Sequence, residues 1–186
     1  MRKIFLLGLS VLSFAYASSV KAEEKLEYIP YIGVDYGYIE AKARQVEPNY
    51  HLVNFNIGTK YNPYFGTEAF FEQSSSDTKK IDSENKIKSS YRAYGLDASA
   101  YLPVGCYHTV DLFASFGVGE YVFYDKLNHE KHNRQSGLGY RFGAGLMYNF
   151  SEDVSLKTFV RYVELNDISK VNHMYEYGIG LRYYFY

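Results

Sequence analysis

The 186-residue sequence lacks several features that would place it in common protein classes. It contains one cysteine, Cys106, and no tryptophan. A single cysteine cannot build an intramolecular disulfide framework. The formal net charge is −1, so no basic excess indicates nucleic-acid binding. Beyond the N-terminal segment, no run approaches the roughly 18 consecutive apolar residues that a membrane-spanning helix needs. These absences exclude a disulfide scaffold, a nucleic-acid-binding protein and a helical membrane protein.

The sequence is instead rich in aromatic residues, with 22 tyrosines and 13 phenylalanines. Its mean hydropathy is nevertheless only −0.31. High aromatic content with low mean hydropathy is typical of a transmembrane β-barrel, because lipid-facing and lumen-facing residues alternate and their hydropathies average out. The length allows one domain.

The N-terminal residues 1–22 predict a cleavable signal peptide. Two basic residues precede the apolar run Ile4–Ala15, which is too short to span a bilayer. Small-x-small cleavage sites end at Ala17 and at Ala22. We favour cleavage after Ala22, because acidic residues then open the mature chain. Residues 23–186 are therefore the predicted outer-membrane β-barrel domain.

The mature chain alternates with a period of two and predicts eight strands. Most exceed ten residues, which is longer than the usual five or six of soluble sheets and fits the 9–11 residues that cross a bilayer at a tilt. The predicted strands are Glu27–Glu40, Asn49–Tyr61, Tyr64–Ser74, Ser90–Leu102, Tyr107–Tyr124, Ser136–Phe150, Val154–Leu165 and Val171–Phe185.

The predicted connections alternate between short and long. Short turns fall at residues 62–63, 103–106 and 151–153, and longer polar loops fall at residues 41–48, 75–89, 125–135 and 166–170. This alternation is typical of outer-membrane barrels, which have short periplasmic turns and longer extracellular loops. The even strand count places both termini on the periplasmic side. The predicted fold is an all-β, eight-stranded antiparallel up-and-down transmembrane barrel.

Side-chain size decides which face of each strand meets lipid. The last strand alternates the large residues Tyr177, Ile179 and Leu181 with Gly178 and Gly180. Eight strands enclose a lumen only wide enough for side chains. Arginine or lysine facing lipid at the bilayer midplane costs about 2–4 kcal/mol. We therefore expect the aromatic and aliphatic set outside and the glycine and charged set inside.

The inward set carries five acidic and five basic residues. Buried charges persist only when they are paired and hydrogen-bonded, so we expect interlocking salt bridges that plug the lumen, with Glu68 near Lys157 and Arg182. A hydrated, loosely paired interior is the alternative. The set comprises Asp35, Glu68, Glu72, Asp97 and Glu176 with Lys60, Arg141, Lys157, Arg161 and Arg182.

Three stretches carry a resemblance to a known family: "YRFGAGLMYNF", "FGTEAFFE" with its inward Glu68, and the ending "GIGLRYYF". The mature chain resembles the OmpA/opacity-type eight-stranded outer-membrane barrels of Gram-negative bacteria. The resemblance implies a location in the cell outer membrane of a Gram-negative bacterium. It also implies a C-terminal signal, matching Gly180, Tyr183 and Phe185, that the barrel assembly machinery reads. Tyr186 extends one residue past the expected terminal phenylalanine.

The favoured function is that of a non-enzymatic surface barrel with a charge-plugged lumen. Its extracellular loops would serve adhesion, act as a surface antigen or support the membrane, since loops on rigid scaffolds carry binding chemistry. The expected partners are outer-membrane lipid and lipopolysaccharide, the barrel assembly machinery, and a host or surface ligand reached through the loops. No nucleic acid, cofactor or metal is expected.

Two alternatives remain open, a small-solute channel and a lipid A-modifying enzyme. Hydrolysis would need a serine–histidine–carboxylate arrangement, for which His173 with Ser169 and Glu176 is the best candidate. His129 and His132 resemble a metal-binding pair, but we interpret them as part of a solvated loop without a third ligand.

Overall fold

The computed structural model describes residues 28–43, 49–80, 86–104, 109–127, 131–166 and 171–186. Within these ranges, nine strands form one antiparallel sheet. No helix in the described part of the chain is long and apolar enough to cross a membrane. The strands are β1 (Ile29–Ala43), β2 (Asn49–Asn62), β3 (Phe65–Ser74), β4 (Asp77–Lys80), β5 (Lys86–Val104), β6 (Val110–Leu127), β7 (Lys131–Asn149), β8 (Val154–Leu165) and β9 (Val171–Tyr184).

The sheet closes on itself because its first and last strands pair. β1 pairs with β9 over the register that includes Tyr31↔Tyr184 and Tyr38↔Tyr177. β3 and β4 both pair with β5, so they are two segments of one wall strand, interrupted at Ser75 and Ser76. Every other wall strand pairs with its neighbours in sequence. The predicted eight-stranded antiparallel up-and-down barrel is confirmed.

Three of the predicted loops are partly strand, which corrects the sequence-based bounds. β1 continues to Ala43 and so enters the predicted loop 41–48. β4 lies inside the predicted loop 75–89 and pairs with the start of β5. β6 and β7 remain paired through most of the predicted loop 125–135, up to Leu127↔Lys131. The polar residues of these segments gave no strand signal. A sheet that has water on both faces does not need apolar residues at alternate positions. The predicted bounds of β8 match the structure.

The outer face carries the large apolar set, as predicted. Leu96, Ile57 and Ile179 are 63%, 62% and 56% exposed, whereas every charged residue of the predicted inward set is buried except Lys60, which is half-buried. The short turns and both ends of the described chain lie at one end of the barrel, and the longer hairpins lie at the other. We refer to these as the turn end and the hairpin end.

The inward face also holds aromatic residues that the sequence analysis did not assign there. They form two buried apolar clusters. The cluster at the turn end contains Tyr31, Tyr101, Phe113, Met147, Phe159 and Tyr184. The cluster at the hairpin end contains Ile39, Ala41, Tyr50, Leu52, Phe70, Tyr91, Ala93, Tyr121, Phe123, Val163, Leu165, Val171 and Met174. Inward glycines provide the space: a Cβ on Gly139 would lie 2.5 Å from the Tyr121 ring.

Candidate functional site

The lumen between the two apolar clusters is ionic, and its first group centres on Glu68 of β3. Glu68 accepts a hydrogen bond from Arg182 of β9 at 2.5 Å and from the Tyr31 hydroxyl at 3.0 Å. Its other oxygen lies 3.4 Å from Nζ of Lys157. Lys157 also lies 3.7 Å from Asp35. The two bases expected as partners of Glu68 therefore both contact it.

Asp35 is held mainly by amides rather than by a strong ion pair. The side-chain amides of Asn54 and Asn56 donate hydrogen bonds to Asp35 Oδ2 at 2.9 and 3.1 Å. These asparagines occupy alternate positions on the neighbouring strand β2, so both point into the lumen beside β1. The sequence analysis missed them because it considered only charged groups. Their alternate positions on the strand already predict that both side chains point inward.

The second ionic group lies towards the hairpin end and contains two arginines. Arg141 donates to both oxygens of Asp97, with Nε 2.6 Å from Oδ1. Glu72 lies 3.5 Å from Arg141 and 3.5 Å from Arg161, so its carboxylate bridges the two guanidinium groups. Arg161 also donates to Glu176 at 2.7 Å. The two-oxygen contact of Arg141 with a carboxylate is among the strongest kinds of hydrogen-bonded pair in proteins.

Aromatic rings cover the ionic layer on both sides. The Arg141 guanidinium lies 3.4 Å from the centre of the Phe70 ring, and the Arg161 guanidinium lies 4.4 Å from that of Phe159. Lys157 lies 5.3 Å from the same Phe159 ring. Every charged residue of the two ionic groups is buried. Removing one partner of such a buried pair costs about 3–5 kcal/mol, because it leaves an uncompensated charge.

Lys60, the remaining base of the predicted set, lies apart near the turn end. It forms an ion pair with Asp111 at 3.3 Å. Its ammonium lies 4.4 Å from the centre of the Tyr101 ring, and Asn149 donates to the same carboxylate at 3.4 Å. Sequence reasoning missed Asp111, although it stands between the outward residues at positions 110 and 112 and therefore points inward.

The three residues of the predicted C-terminal signal lie on two faces of the last strand. Gly180 is inward, and a Cβ there would lie 2.0 Å from Oδ1 of Asp35. Tyr183 and Phe185 point outward, are each 46% exposed, and place their ring centres 5.0 Å apart. Gly180 thus has a packing role inside the lumen that is independent of any signal. Recognition of this strand by an assembly machinery stays a prediction.

The best hydrolase candidate is not assembled. His173 lies with its ring 5.8 Å from Tyr162 and 5.7 Å from Tyr175. Glu176 is fully buried in the lumen and bound to Arg161. Successive residues of a strand point to opposite faces, so positions 173 and 176 cannot share one. Ser169, Cys106, His129 and Glu130 lie outside the described residues, as does the side chain of His132.

Comparison with known proteins decides the family. The family model described as the outer membrane protein β-barrel domain matches residues 4–185. The chain belongs to this family. A comparison with curated proteins finds no match.

Several outer-membrane barrels of known structure have the same fold as this chain. Neisserial surface protein A is 16% identical, with a TM-score of 0.66 over 84% of this chain and 97% of that chain. Ail, the attachment invasion locus protein of Yersinia pestis, solved in complex with the heparin analogue sucrose octasulfate, is 17% identical, with a TM-score of 0.62 over 86% and 100%. A major outer membrane protein of Thermus thermophilus is 12% identical, with a TM-score of 0.63 over 86% and 100%.

The family assignment shows in which membrane the barrel and its lumen lie. The barrel lies in the outer membrane of a Gram-negative bacterium and is of the OmpA/opacity type. Its exposed rings therefore face lipid, and its ionic layer lies within the membrane.

Proposed function

We propose that this outer-membrane barrel is a non-enzymatic surface protein whose lumen is plugged by charge and whose activity lies in its extracellular hairpins, in adhesion or in structural support of the membrane. The observation that carries the proposal is the filled lumen. Among the described residues, interlocked ion pairs lie between two apolar clusters of inward side chains. The interior of an eight-stranded barrel is just wide enough for side chains to fill, which supports a lumen without a wide water path.

The contacts within the plug predict that the buried charges resist separation. Each carboxylate of the two ionic groups contacts a base or an amide, and Glu72 and Glu68 each contact two bases. Opening a path would break several charge-assisted bonds at once in a low-dielectric interior. Conduction therefore requires rearrangement of the network rather than rotation of one side chain.

Single-channel recording in planar lipid bilayers tests the plug. We expect the purified barrel to show no steady open state of large conductance. Glu68→Ala should raise the frequency of openings, because Lys157 and Arg182 then lose their shared carboxylate. The matched control is Glu164→Ala, which removes an exposed carboxylate on β8. A steady large conductance of the wild-type barrel would contradict the plug and favour the channel.

The extracellular hairpins support a role in contact with other surfaces. β5, β6 and β7 have 19, 18 and 19 residues, whereas β8 has 12. A rigid wall therefore carries the predicted loops 75–89 and 125–135 away from the membrane, where a ligand could reach them. Two of the similar structures bear the names of a surface protein and an attachment protein.

Trimming the hairpins tests this part of the proposal. Cells displaying the wild-type barrel should bind heparin-coated or matrix-coated surfaces more strongly than cells displaying a variant in which residues 77–88 are replaced by a short turn. The control is a variant with substitutions only in the turn 151–153 at the opposite end. Equal binding of all three would contradict a binding role for this hairpin, and gel mobility of unheated samples would verify that each variant is folded.

A further inference from the structure

The outer wall carries a cluster of two arginines around one tyrosine near the hairpin end. The guanidinium carbons of Arg92 and Arg134 lie 5.8 and 5.9 Å from the centre of the Tyr124 ring. The three residues come from the adjacent strands β5, β6 and β7. Arg134 stands directly opposite Tyr124 in the register, and Arg92 stands opposite Val122. Both arginines are exposed on the outer face.

This cluster is packed, although it lies on the outside of the barrel. Val122 occupies an outward position of β6, yet it is only 3% exposed, so neighbouring side chains cover it. Tyr124 is half-buried. An arginine held over an aromatic ring keeps its N–H donors free at the edge of the guanidinium plane. The two arginines are thus positioned rather than freely extended.

The positive charge of the cluster is not neutralised by the described acidic side chains. Neither arginine forms an ion pair with an acidic side chain that the structure describes. Glu120, the outward acid two positions before Val122, accepts a hydrogen bond from the Tyr94 hydroxyl. Lys88, on the same face of β5, adds a further exposed cation beyond Arg92. An anion approaching from the membrane surface therefore meets two guanidinium groups that are not ion-paired with any described carboxylate.

The same three strands turn apolar below the cluster. Leu96 on β5, Val118 on β6 and Leu138 on β7 are 63%, 37% and 46% exposed on the outer face. Exposed cations on a barrel wall are tolerated near the interface and not at the bilayer midplane. Polar groups above and apolar groups below match the order of headgroup and acyl chains in a lipid of the outer leaflet.

We propose that Arg92, Tyr124 and Arg134 form a binding site for the phosphate of a phosphorylated lipid in the outer leaflet. The two guanidinium groups donate hydrogen bonds to the phosphate oxygens, a geometry that arginine matches well. The acyl chains of the same molecule lie along Leu96, Val118 and Leu138. This site is on the barrel wall and is separate from the extracellular loops, so it goes beyond the proposed surface function.

Native mass spectrometry of the purified full-length barrel in detergent micelles tests the site. The probes are bis-phosphorylated lipid A and the same lipid with its phosphates removed. We expect the wild-type barrel to retain the phosphorylated lipid about tenfold more than the phosphate-free lipid, because hydrogen bonds to charged groups are strong. The variant R92Q/R134Q should reduce this preference to within about twofold, and R92K/R134K should give an intermediate preference, because the charges remain while the planar donors of arginine are lost.

Two controls separate a site from general electrostatics. The variant N49D/N172D also lowers the net charge by two, at exposed positions on β2 and β9, which do not border the three strands of the site, and should leave the preference unchanged. Inorganic phosphate at the same concentration as the lipid should not displace it. An unchanged preference in R92Q/R134Q, an equal loss in N49D/N172D, or displacement by inorganic phosphate would each overturn the proposal. Heat-modified gel mobility verifies that every variant is folded.

Discussion

At the residue scale, the ionic layer depends on glycines that stand where side chains would collide with it. A Cβ on Gly117 would lie 1.8 Å from Oδ1 of Asp97, and one on Gly33 would lie 2.1 Å from Oδ1 of Asn56. Asp97 cannot withdraw, because Arg141 holds both of its oxygens. The inward glycines therefore leave space that the neighbouring charged side chains occupy.

The substitution Gly117→Ala should lower the free energy of unfolding by about 1–3 kcal/mol, as expected for overpacking a filled interior. Urea titration of the barrel refolded into lipid vesicles measures the change. The matched control is Gly143→Ala, where the nearest atom to the new Cβ is the Ser115 hydroxyl at 2.6 Å and the next is at 3.5 Å. The hydroxyl can rotate away, so we expect a smaller loss. Equal losses would contradict the specific role of Gly117.

At the element scale, the barrel wall is uneven in height. β5 and β7 span roughly 60 Å along the strand and β8 roughly 40 Å at about 3.3 Å per residue. Since the apolar band of such barrels is about 25 Å tall, the long strands continue beyond the lipid. β4 pairs with β5 only in this upper part, so we expect the wall strand to be interrupted near the height at which the sheet leaves the membrane.

Cysteine labelling tests the orientation of these elements. In a Cys106→Ser background, Ser76→Cys at the hairpin end should react on intact cells with a membrane-impermeant maleimide. Ser151→Cys at the turn end should react only after the cells are broken, because the short turns of such barrels face the periplasm. Both serines are exposed in the isolated barrel, so purified protein provides the control for reactivity. The reverse labelling pattern would contradict the orientation.

At the scale of the whole molecule, closure depends on the two ends of the described chain. β9 pairs with both β8 and β1, so the barrel cannot close until its last strand is in place. Closure removes free strand edges from the membrane, which lipid could not satisfy with hydrogen bonds. A machinery that recognises the last strand would therefore act at the step that completes the barrel.

The variant Phe185→Ala should reduce the amount of folded barrel in cells while leaving refolding into lipid vesicles in vitro unchanged. The ring is exposed on the outer wall and contributes little to internal packing, so its loss removes the predicted signal and not the core. Phe150→Ala is the matched control, because Phe150 is an exposed ring, 60% exposed, at the same end of the barrel. Equal losses of the two variants in cells, or failed refolding of Phe185→Ala in vitro, would contradict a signal role.

The strand count, the up-and-down order and the outward set that includes Ile57, Leu96 and Ile179 could all be predicted from the sequence. Period-two alternation is a local property of an extended backbone, and lipid outside a narrow lumen leaves one arrangement for large and small residues. The inward direction of the Asp111 and Asn54 side chains follows from the same local alternation, so it could also have been predicted. The polar parts of β6 and β7 at the hairpin end could not be predicted from the sequence. Apolar and polar residues alternate only where one face of the strand meets lipid.

Most of the pairing between charges, in contrast, emerged only from the closed barrel. Arg141 and Glu72 are separated by 69 residues, and their contact depends on the tilt and register of every strand between them. The same geometry paired Arg141 with Asp97. It also placed two aromatic clusters above and below the ions. A strand pattern fixes the direction of a side chain, whereas its height and its partner across the lumen follow from strand tilt and stagger around the whole cylinder.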